Sequence, residues 1–441
     1  MTKFIILFNA VLFSIFTFFS PKERTKTISD SEMPMCSSMP ESSINKWQSS
    51  VATEFKSVKS NAVNFQTDST KAYSMPLLAT TTKGDALLSW TEKDLQGITS
   101  FCFSVSKDNG KTFSEKKVIY AGSGVSNSRL MRAKVLTKKD GSLVAVFSNR
   151  ADAPATGNQQ GGGRGRGGRS SDIVYSESKD NGNTWTKPQS VDSDPTKGIA
   201  RGFFDAVVLP NDEVAVAYLK DVANSTKQEE RNLRLVITKN GAFQPERVID
   251  PVVCDCCNIN MLIDAQGALN VYYRDNNDNI RDFARMTSTD NGVTFSKPQI
   301  IYNDGWRIEG CPHNGAISSV FGKTALVAWY SGAEKESGVK LATQEGKKLL
   351  VLTDESVKNP CLMSSQNMAV MMWEQNAANT DKKQLVFRKI SDDKVSDNIS
   401  VDGSVNSTNA TALILGNQLL IANEVKEENK KNSLKISMVS L

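Results

Sequence analysis

Short apolar runs, not long ones, set the pattern of this chain. Seven stand out: Ala86–Trp90, Leu143–Phe147, Val214–Tyr218, Leu269–Tyr273, Ala325–Trp329, Met368–Trp373 and Gln418–Ala422. Such runs, rich in β-branched and aromatic residues and evenly spaced between turn signals, predict strands. They recur at intervals mostly of about 40–55 residues, the period of a repeat built from small β units. Around each run the chain follows one plan. A strand opens near a Pro or small residue, turns at Gly or Asp, and continues as the apolar run. A polar loop, a third strand and a second turn follow. The widest interval holds a Gly/Arg insert, Gly157–Arg169. The expected class is all-β.

The second turn is spelt out three times. The copies are Ser106-Lys-Asp108-Asn-Gly110-Lys-Thr112-Phe113, Ser178-Lys-Asp180-Asn-Gly182-Asn-Thr184-Trp185 and Ser288-Thr-Asp290-Asn-Gly292-Val-Thr294-Phe295. Asp and Asn bond their own backbone, and Gly accepts φ > 0, so the core of the motif is a turn. The aromatic that follows can pack between units. Weaker remnants occupy the expected places at Thr238-Lys-Asn240-Gly241-Ala-Phe243, Thr343-Gln-Glu345-Gly346 and Ser391-Asp392-Asp393. The last unit ends in Leu434–Met438 without a box. The count is seven units, with six as the alternative. Closing a ring removes sheet edges, so the last unit is expected to borrow its outer strand from the N-terminal segment, around Val58–Phe65.

The octapeptide resembles the Asp-box of sialidases and related β-propellers, over roughly Met75–Leu441. That resemblance implies a propeller of four-stranded blades at 72–441, preceded by a polar linker or wrapped segment at 21–71. Familiar sialidases have six blades, so a count of seven departs from them. The resemblance is specific for fold and weak for function, because the box itself only builds a turn. In an up-and-down blade the box joins strands three and four. The residues just before each first strand therefore ring the channel mouth on the opposite face. That ring reads Ser74-Met-Pro76; Arg129 and Arg132; Arg201 and Asp205; Cys254–Asn258; Cys311–Asn314; Pro360-Cys361; and Asn406–Asn409.

Sialidases cut with a tyrosine nucleophile. The resemblance also implies a glutamate beside it, an aspartate as acid/base and three arginines on the sugar carboxylate, which suits the guanidinium fork. The family's first arginine lies in an R-I-P sequence, where this chain has Ser74-Met75-Pro76. The candidates that remain are Arg132, Arg201 and Arg274 (or Arg307) with His313 for substrate, and Asp205 and Asp255 as acids. No Tyr with a matching Glu can be assigned. Each arginine also reads as a solvated or ion-paired loop residue, and each aspartate as a turn stabiliser.

Cysteines change the picture next. The segments Val-Cys254-Asp-Cys256-Cys257 and Gly-Cys311-Pro resemble those of a subset of exported sialidase-like proteins. In an oxidising compartment they are expected as disulfides, and four cysteines allow three pairings. The second expectation is a soft-metal site for copper(I) or zinc on Cys254, Cys256, Cys257 and Cys311, with His313. A further soft cluster, Met33-Pro-Met35-Cys36-Ser-Ser-Met39, precedes the repeats. Otherwise no cofactor is expected. Cys102 falls in an apolar strand and reads as a core thiol. The sole histidine excludes multi-histidine metal sites.

The N-terminus reads Met1-Thr-Lys3, then an apolar run Phe4–Phe19, of secretory length. The expectation is a signal peptide or anchor at 1–20, and hence a secreted, periplasmic or cell-envelope protein. Membrane contact is expected only through an uncleaved N-terminal segment. A net charge of +5 over 441 residues does not suggest a nucleic-acid scaffold. The Gly161–Arg169 tract, like an RGG segment in composition, is expected to be a loop. Two functions stay open. One is an exported propeller that recognises a carbohydrate, with hydrolysis of glycosidic bonds as the activity it would carry. The other is a non-enzymatic envelope binding or scaffold protein with a disulfide or soft-metal cysteine cluster.

Overall fold

The apolar runs become the second strands of seven consecutive blades. The structure, a computed structural model, describes residues 55–150, 171–194, 201–225, 230–391, 394–428 and 431–441. The apolar run at 4–19, the soft cluster at 33–39, the insert at 157–169 and residues 392–393 lie outside the described residues. Regular structure among those described is entirely β. Blade 1 contains Ala72–Thr80, Ala86–Lys93, Thr99–Ser106 and Lys117–Gly122. Blades 2 to 7 repeat this antiparallel order, their second strands being Leu143–Arg150, Val214–Asp221, Leu269–Arg274, Thr324–Ser331, Ala369–Asn376 and Gln418–Lys426. The protein is a seven-bladed β-propeller.

Packing explains why these runs are continuously apolar instead of alternating. Blades stack face to face, so both faces of a central strand are covered. Leu88 and Trp90 face blade 7, packing near Leu420 and Ala422. Leu87, with Phe101 and Phe103, faces blade 2, packing near Val135 and Ala145. Seven clusters of buried apolar side chains fill the seven interfaces, including the one that joins blade 7 to blade 1.

The ring is closed by the chain's N-terminal side. Ser60–Ala62 pairs antiparallel with the last strand, Asn432–Ser440, as the outer strand of blade 7. Just before it, Lys56–Val58 pairs parallel with Ile399–Val401 in blade 6. The Ser60 hydroxyl donates to the Asp402 carbonyl at 2.8 Å between the two. One short segment therefore ties two blades together before the chain enters blade 1.

The three Asp-boxes are superimposable in their bonding. In the first, Ser106 Oγ donates to Asp108 Oδ1 and accepts from the Gly110 N–H, both at 2.8 Å. Asp108 in turn accepts from the Thr112 N–H at 2.9 Å and the Thr112 hydroxyl at 2.6 Å. The same four bonds recur at Asp180 and Asp290. Those bonds, led by the ones from the motif threonines, hold all three carboxyls down at about 2.

The box glycines also mark a close approach between blades. A Cβ on Gly182 would lie 2.3 Å from Phe103 Cζ in blade 1, and one on Gly292 would lie 2.6 Å from Ile237 Cδ1 in blade 3. The motif aromatic seals the same seam: Trp185 meets Phe103 edge-on with centroids 6.0 Å apart. In the remnant of blade 3, Glu213 substitutes for the missing Asp by accepting from the Thr238 hydroxyl and the Asn240 N–H.

Candidate functional site

On the face away from the boxes, the first strands lose their regularity. Four of them carry the same bulge, where the pairing register shifts between Ser74 and Leu77, Gly202 and Asp205, Lys358 and Cys361, and Thr408 and Thr411. The residue inside each bulge is left-handed: Met75 (φ 51°), Phe203 (57°), Asn359 (53°) and Asn409 (53°). His313 of blade 5 shares that conformation at 50°. Asn and His tolerate this region, whereas Met and Phe are strained in it. Bulges re-aim side chains and are enriched beside functional sites.

Buried carboxylates from the second strands hold the bulges open. Glu424 accepts from the Met75 N–H at 2.7 Å and from Asn409 Nδ2 at 2.8 Å. Glu374 accepts from the Asn409 N–H at 2.7 Å, Asn359 Nδ2 at 2.8 Å and the Thr408 hydroxyl at 3.0 Å. Each clasp runs from one blade to the next. Arg129 Nε donates to Asn409 Oδ1 at 3.1 Å, carrying the network across the mouth.

These elements enclose a central cavity of about 740 Å³. Its deeper wall is apolar, with Leu77, Ile317, Leu362, Leu413 and Ile414. Its mouth is polar and cationic. Arg129, Arg132, Lys134 and Lys358 line it against a single lining carboxylate among the described residues, Asp205. Lys134 already forms an ion pair with that carboxylate. Arg132 is the conspicuous group. Its Nε is buried without a hydrogen-bond partner, and burial pulls its guanidinium below the usual arginine range. Cys361 lies against the same site, and burial pushes its thiol up to about 12.

The structure divides the residues singled out from the sequence into three groups. Arg132, Asp205 and His313 line the cavity together. Asp205 also clasps blades: its Oδ1 accepts from the Ala206 N–H and its Oδ2 from the Met261 N–H, each at 2.8 Å. Arg201 and Arg274 are not brought to the cavity. Arg201 is buried against Asp192, with Nε 2.5 Å from the carboxylate, and also pairs with Asp172. Arg274 lies over the Phe283 ring and donates to the Arg281 and Tyr330 carbonyls and to Asn314 Oδ1. Arg274 serves the interior because its strand, the second of blade 4, is covered on both faces, and Arg201 because the bulge at Phe203 separates it from the cavity-facing part of its strand. Arg307 donates to the Asp278 carbonyl in an exposed loop. Asp255 accepts from the Arg231 N–H at 3.1 Å, and burial pushes its carboxyl up to about 6.

A Tyr–carboxylate pair does exist, at Tyr218 with Glu246 and Asp192, but it is buried within blade 3. Lys134, Lys358 and the carboxylates Glu374 and Glu424 were not singled out from the sequence. Of these only Lys358 sits directly beside a left-handed bulge residue, Asn359; Lys134 lies in a regularly paired strand and the two glutamates on second strands.

The cysteines form the third group. Cys254 Sγ stands 3.9 Å from Cys256 Sγ and 3.6 Å from Cys257 Sγ, all three buried. Hydrogen bonds from Cys256 and Cys257 lower the Cys254 thiol pKa. Donor atoms of Cys256, Cys311 and His313 also lie within 4.8 Å of one another. All six described cysteines are thiols in this structure. Cys102 is a buried core residue, pushed up to about 12 by burial.

Seven blades, three of them closed by complete Asp-boxes, around a polar-mouthed channel define the class: a sialidase-like β-propeller. The model of the BNR repeat-like domain matches residues 155–375, and the chain belongs to that family. Among solved structures, a protein of unknown function from Dyadobacter fermentans aligns over 88% of this chain and 99% of its own. Its identity is 12% and its TM-score 0.50, a likeness of fold. The Hadza microbial sialidase Hz136 aligns over 84% of this chain at 15% identity and TM-score 0.46. The sialidase of Trypanosoma rangeli aligns over 87% at 14% and 0.45. The chain spans 66% and 58% of those two sialidases. No curated protein sequence matches it.

Proposed function

We propose that this propeller recognises an anionic carbohydrate at the channel mouth. The observation that carries the reading is charge. Four cationic side chains line the mouth against one lining carboxylate, Asp205, which Lys134 already pairs, while Arg129 also reaches the buried Glu374 at 3.9 Å. Among the four, Arg132 is a guanidinium whose Nε has no acceptor in the protein. A planar guanidinium fork suits a carboxylate or sulfate on a sugar ring. The amides of Asn258, Asn260 and Asn359 face the same space and suit hydroxyls. A cavity of about 740 Å³ accommodates a small ligand.

Binding is favoured over hydrolysis for a specific reason. A carboxylate-pair glycosidase needs two carboxyl groups flanking the bond, and a sialidase-type one needs a tyrosine beside a glutamate. The described lining offers Asp205, already paired with Lys134, and Tyr330, but no glutamate. Titration calorimetry with N-acetylneuraminic acid, glucuronic acid, galactose 6-sulfate and galactose tests the proposal. At least one anionic sugar is expected to bind, galactose is not, and Arg132→Ala is expected to lose the affinity. Equal binding of galactose, or binding indifferent to Arg132→Ala, would overturn it. Turnover of a fluorogenic glycoside that disappears in Asp205→Asn would replace binding by catalysis.

A further inference from the structure

Beside the sugar-sized cavity, and reaching it only through His313, lies a cluster of soft donors. Blade 4 opens with three cysteines in four residues, which turn back on themselves so that their sulfurs converge. Blade 5 opens with Cys311 and His313, which approach Cys256 from the neighbouring crossing. Two triads of donors therefore share one vertex, Cys256. The arrangement is half buried and half open: Cys254, Cys256 and Cys257 are enclosed against Phe203, whereas Cys311 and His313 are exposed.

We infer that this cluster is a site for a soft d¹⁰ ion, zinc(II) or copper(I), held by Cys254, Cys256 and Cys257 and completed from blade 5 by Cys311 or His313. Three geometric facts support it. First, thiolates around a tetrahedral ion with bonds of about 2.3 Å stand about 3.8 Å apart; Cys254 Sγ lies 3.6 Å from Cys257 Sγ and 3.9 Å from Cys256 Sγ, and all three sulfurs lie within 4.8 Å of one another. Second, the His313 tautomer is set. Its Nδ1 lies 2.8 Å from the Cys311 carbonyl, an acceptor only, so Nδ1 carries the proton. The lone pair is then on Nε2, the arrangement typical of a ligating imidazole. Third, Cys256 shares a second set of donors with Cys311 and His313, whose ligand atoms all lie within 4.8 Å of one another.

The surroundings match the charge such a site needs. Arg231 Nη1 donates to the Asp255 carbonyl between the cysteines, and Arg274 Nη2 donates to Asn314 Oδ1 next to His313. These guanidinium groups offset thiolate charge and brace both ligand-bearing segments from behind. Binding is stoichiometric in protons: each thiol that ligates releases its proton to solvent as the S–metal bond forms, so affinity falls with pH. No redox step is needed. The ion would join blades 4 and 5 at the rim of the mouth, with its open side toward His313.

The test uses the full chain, reduced with a phosphine and freed of metal by a chelator. Zinc(II) and copper(I) are titrated separately against chromogenic competitors, and cobalt(II) serves as a spectroscopic probe of thiolate coordination. One ion per chain is expected, with sulfur-to-cobalt charge-transfer absorption. Cys256→Ser is expected to weaken binding by at least about 100-fold, and His313→Ala or Cys311→Ser, whichever removes the fourth ligand, by about 10-fold. No effect from either blade 5 substitution would overturn completion of the site from blade 5. Cys36→Ser and Cys361→Ser are expected to leave it unchanged. The zinc and copper arms decide which ion is preferred. If Cys256→Ser does not fold, the wild-type cobalt spectrum and the His313→Ala and Cys311→Ser titrations still decide. Stoichiometric retention by Cys254→Ser/Cys256→Ser/Cys257→Ser, absence of thiolate charge transfer, or no uptake by the reduced protein would overturn the site. So would intact masses showing these cysteines joined as disulfides in a protein that binds no ion once reduced. Sugar titrations read a different ligand, so this site and the sugar-binding reading can fail separately.

Discussion

The two ends of this propeller are built on opposite principles. On the box face one turn is repeated nearly letter for letter, its bonds are local, and its glycines are fixed by neighbouring blades. At the mouth no sequence repeats. The same bulge is made by Met75, Phe203, Asn359 and Asn409, and the bonds that hold it cross between blades. One end maintains the geometry of the ring, and the other is free to vary in chemistry. The repeated end is therefore where the fold is stabilised, and the varied end is where function is expected.

Substituting the box glycines gives the largest expected effect and the sharpest internal control. Gly182 and Gly241 share nearly the same φ, 80° and 81°, but only Gly182 has a neighbour in the way of a Cβ. Gly182→Ala is expected to cost about 2–4 kcal/mol, combining backbone strain with overpacking against Phe103. Gly241→Ala is expected to cost about 1 kcal/mol, from strain alone. Urea denaturation of both measures the difference. Equal costs would mean that the box glycine serves the turn and not the seam between blades.

At the mouth, Arg132→Ala is expected to lower anionic-sugar affinity about tenfold or more, as expected for losing a charged hydrogen-bond donor. Its unfolding midpoint should barely move, because the guanidinium Nε bonds nothing in the protein. A large loss of stability with unchanged binding would assign Arg132 to the scaffold. Met75→Asn probes the strain directly. The equivalent positions in blades 6 and 7 already carry Asn at the same φ, so the change is expected to stabilise by about 0.5–1 kcal/mol. Destabilisation would show that Met75 makes packing contacts that outweigh its strain.

The smallest effect is one of pH. The three box carboxyls titrate at about 2 in the folded protein, below the ordinary 3.8. A lowered folded pKa contributes stability that is present above pH 3.8 and is lost as pH falls toward 2. Replacing Asp108, Asp180 and Asp290 by Asn should therefore flatten the acid limb of a stability–pH curve between those values. Sugar binding at neutral pH should be unaffected. An unchanged acid limb would show that the boxes are not ionisation-dependent.

How much of this was legible in the sequence follows the same division. Seven blades, the strand order and the borrowed outer strand could be read because each unit restates them. The mouth could be located, since the boxes fix strand direction, but its chemistry could not be ranked. Arg201 and Asp205 are four residues apart on one strand. A bulge at Phe203 separates them, and they end in different environments: Arg201 among Asp172 and Asp192, and Asp205 at the cavity. Arg274 failed as a mouth candidate because a second strand has no open face. Lys358 was missed because no pattern distinguishes it from a solvated lysine. The cysteines of blade 4 and the Cys311–His313 pair of blade 5 could be grouped from the sequence because they open neighbouring blades, while their distances depend on how the two blades pack.

The central claim is that the face opposite the boxes carries the binding chemistry. The most direct measurement is a paired calorimetric titration of one anionic sugar into Arg132→Ala and Asp180→Asn. The account predicts that Arg132→Ala loses binding while keeping its unfolding midpoint, and that Asp180→Asn binds like the wild type. Binding lost in Asp180→Asn and retained in Arg132→Ala would place the site on the wrong face and contradict the account.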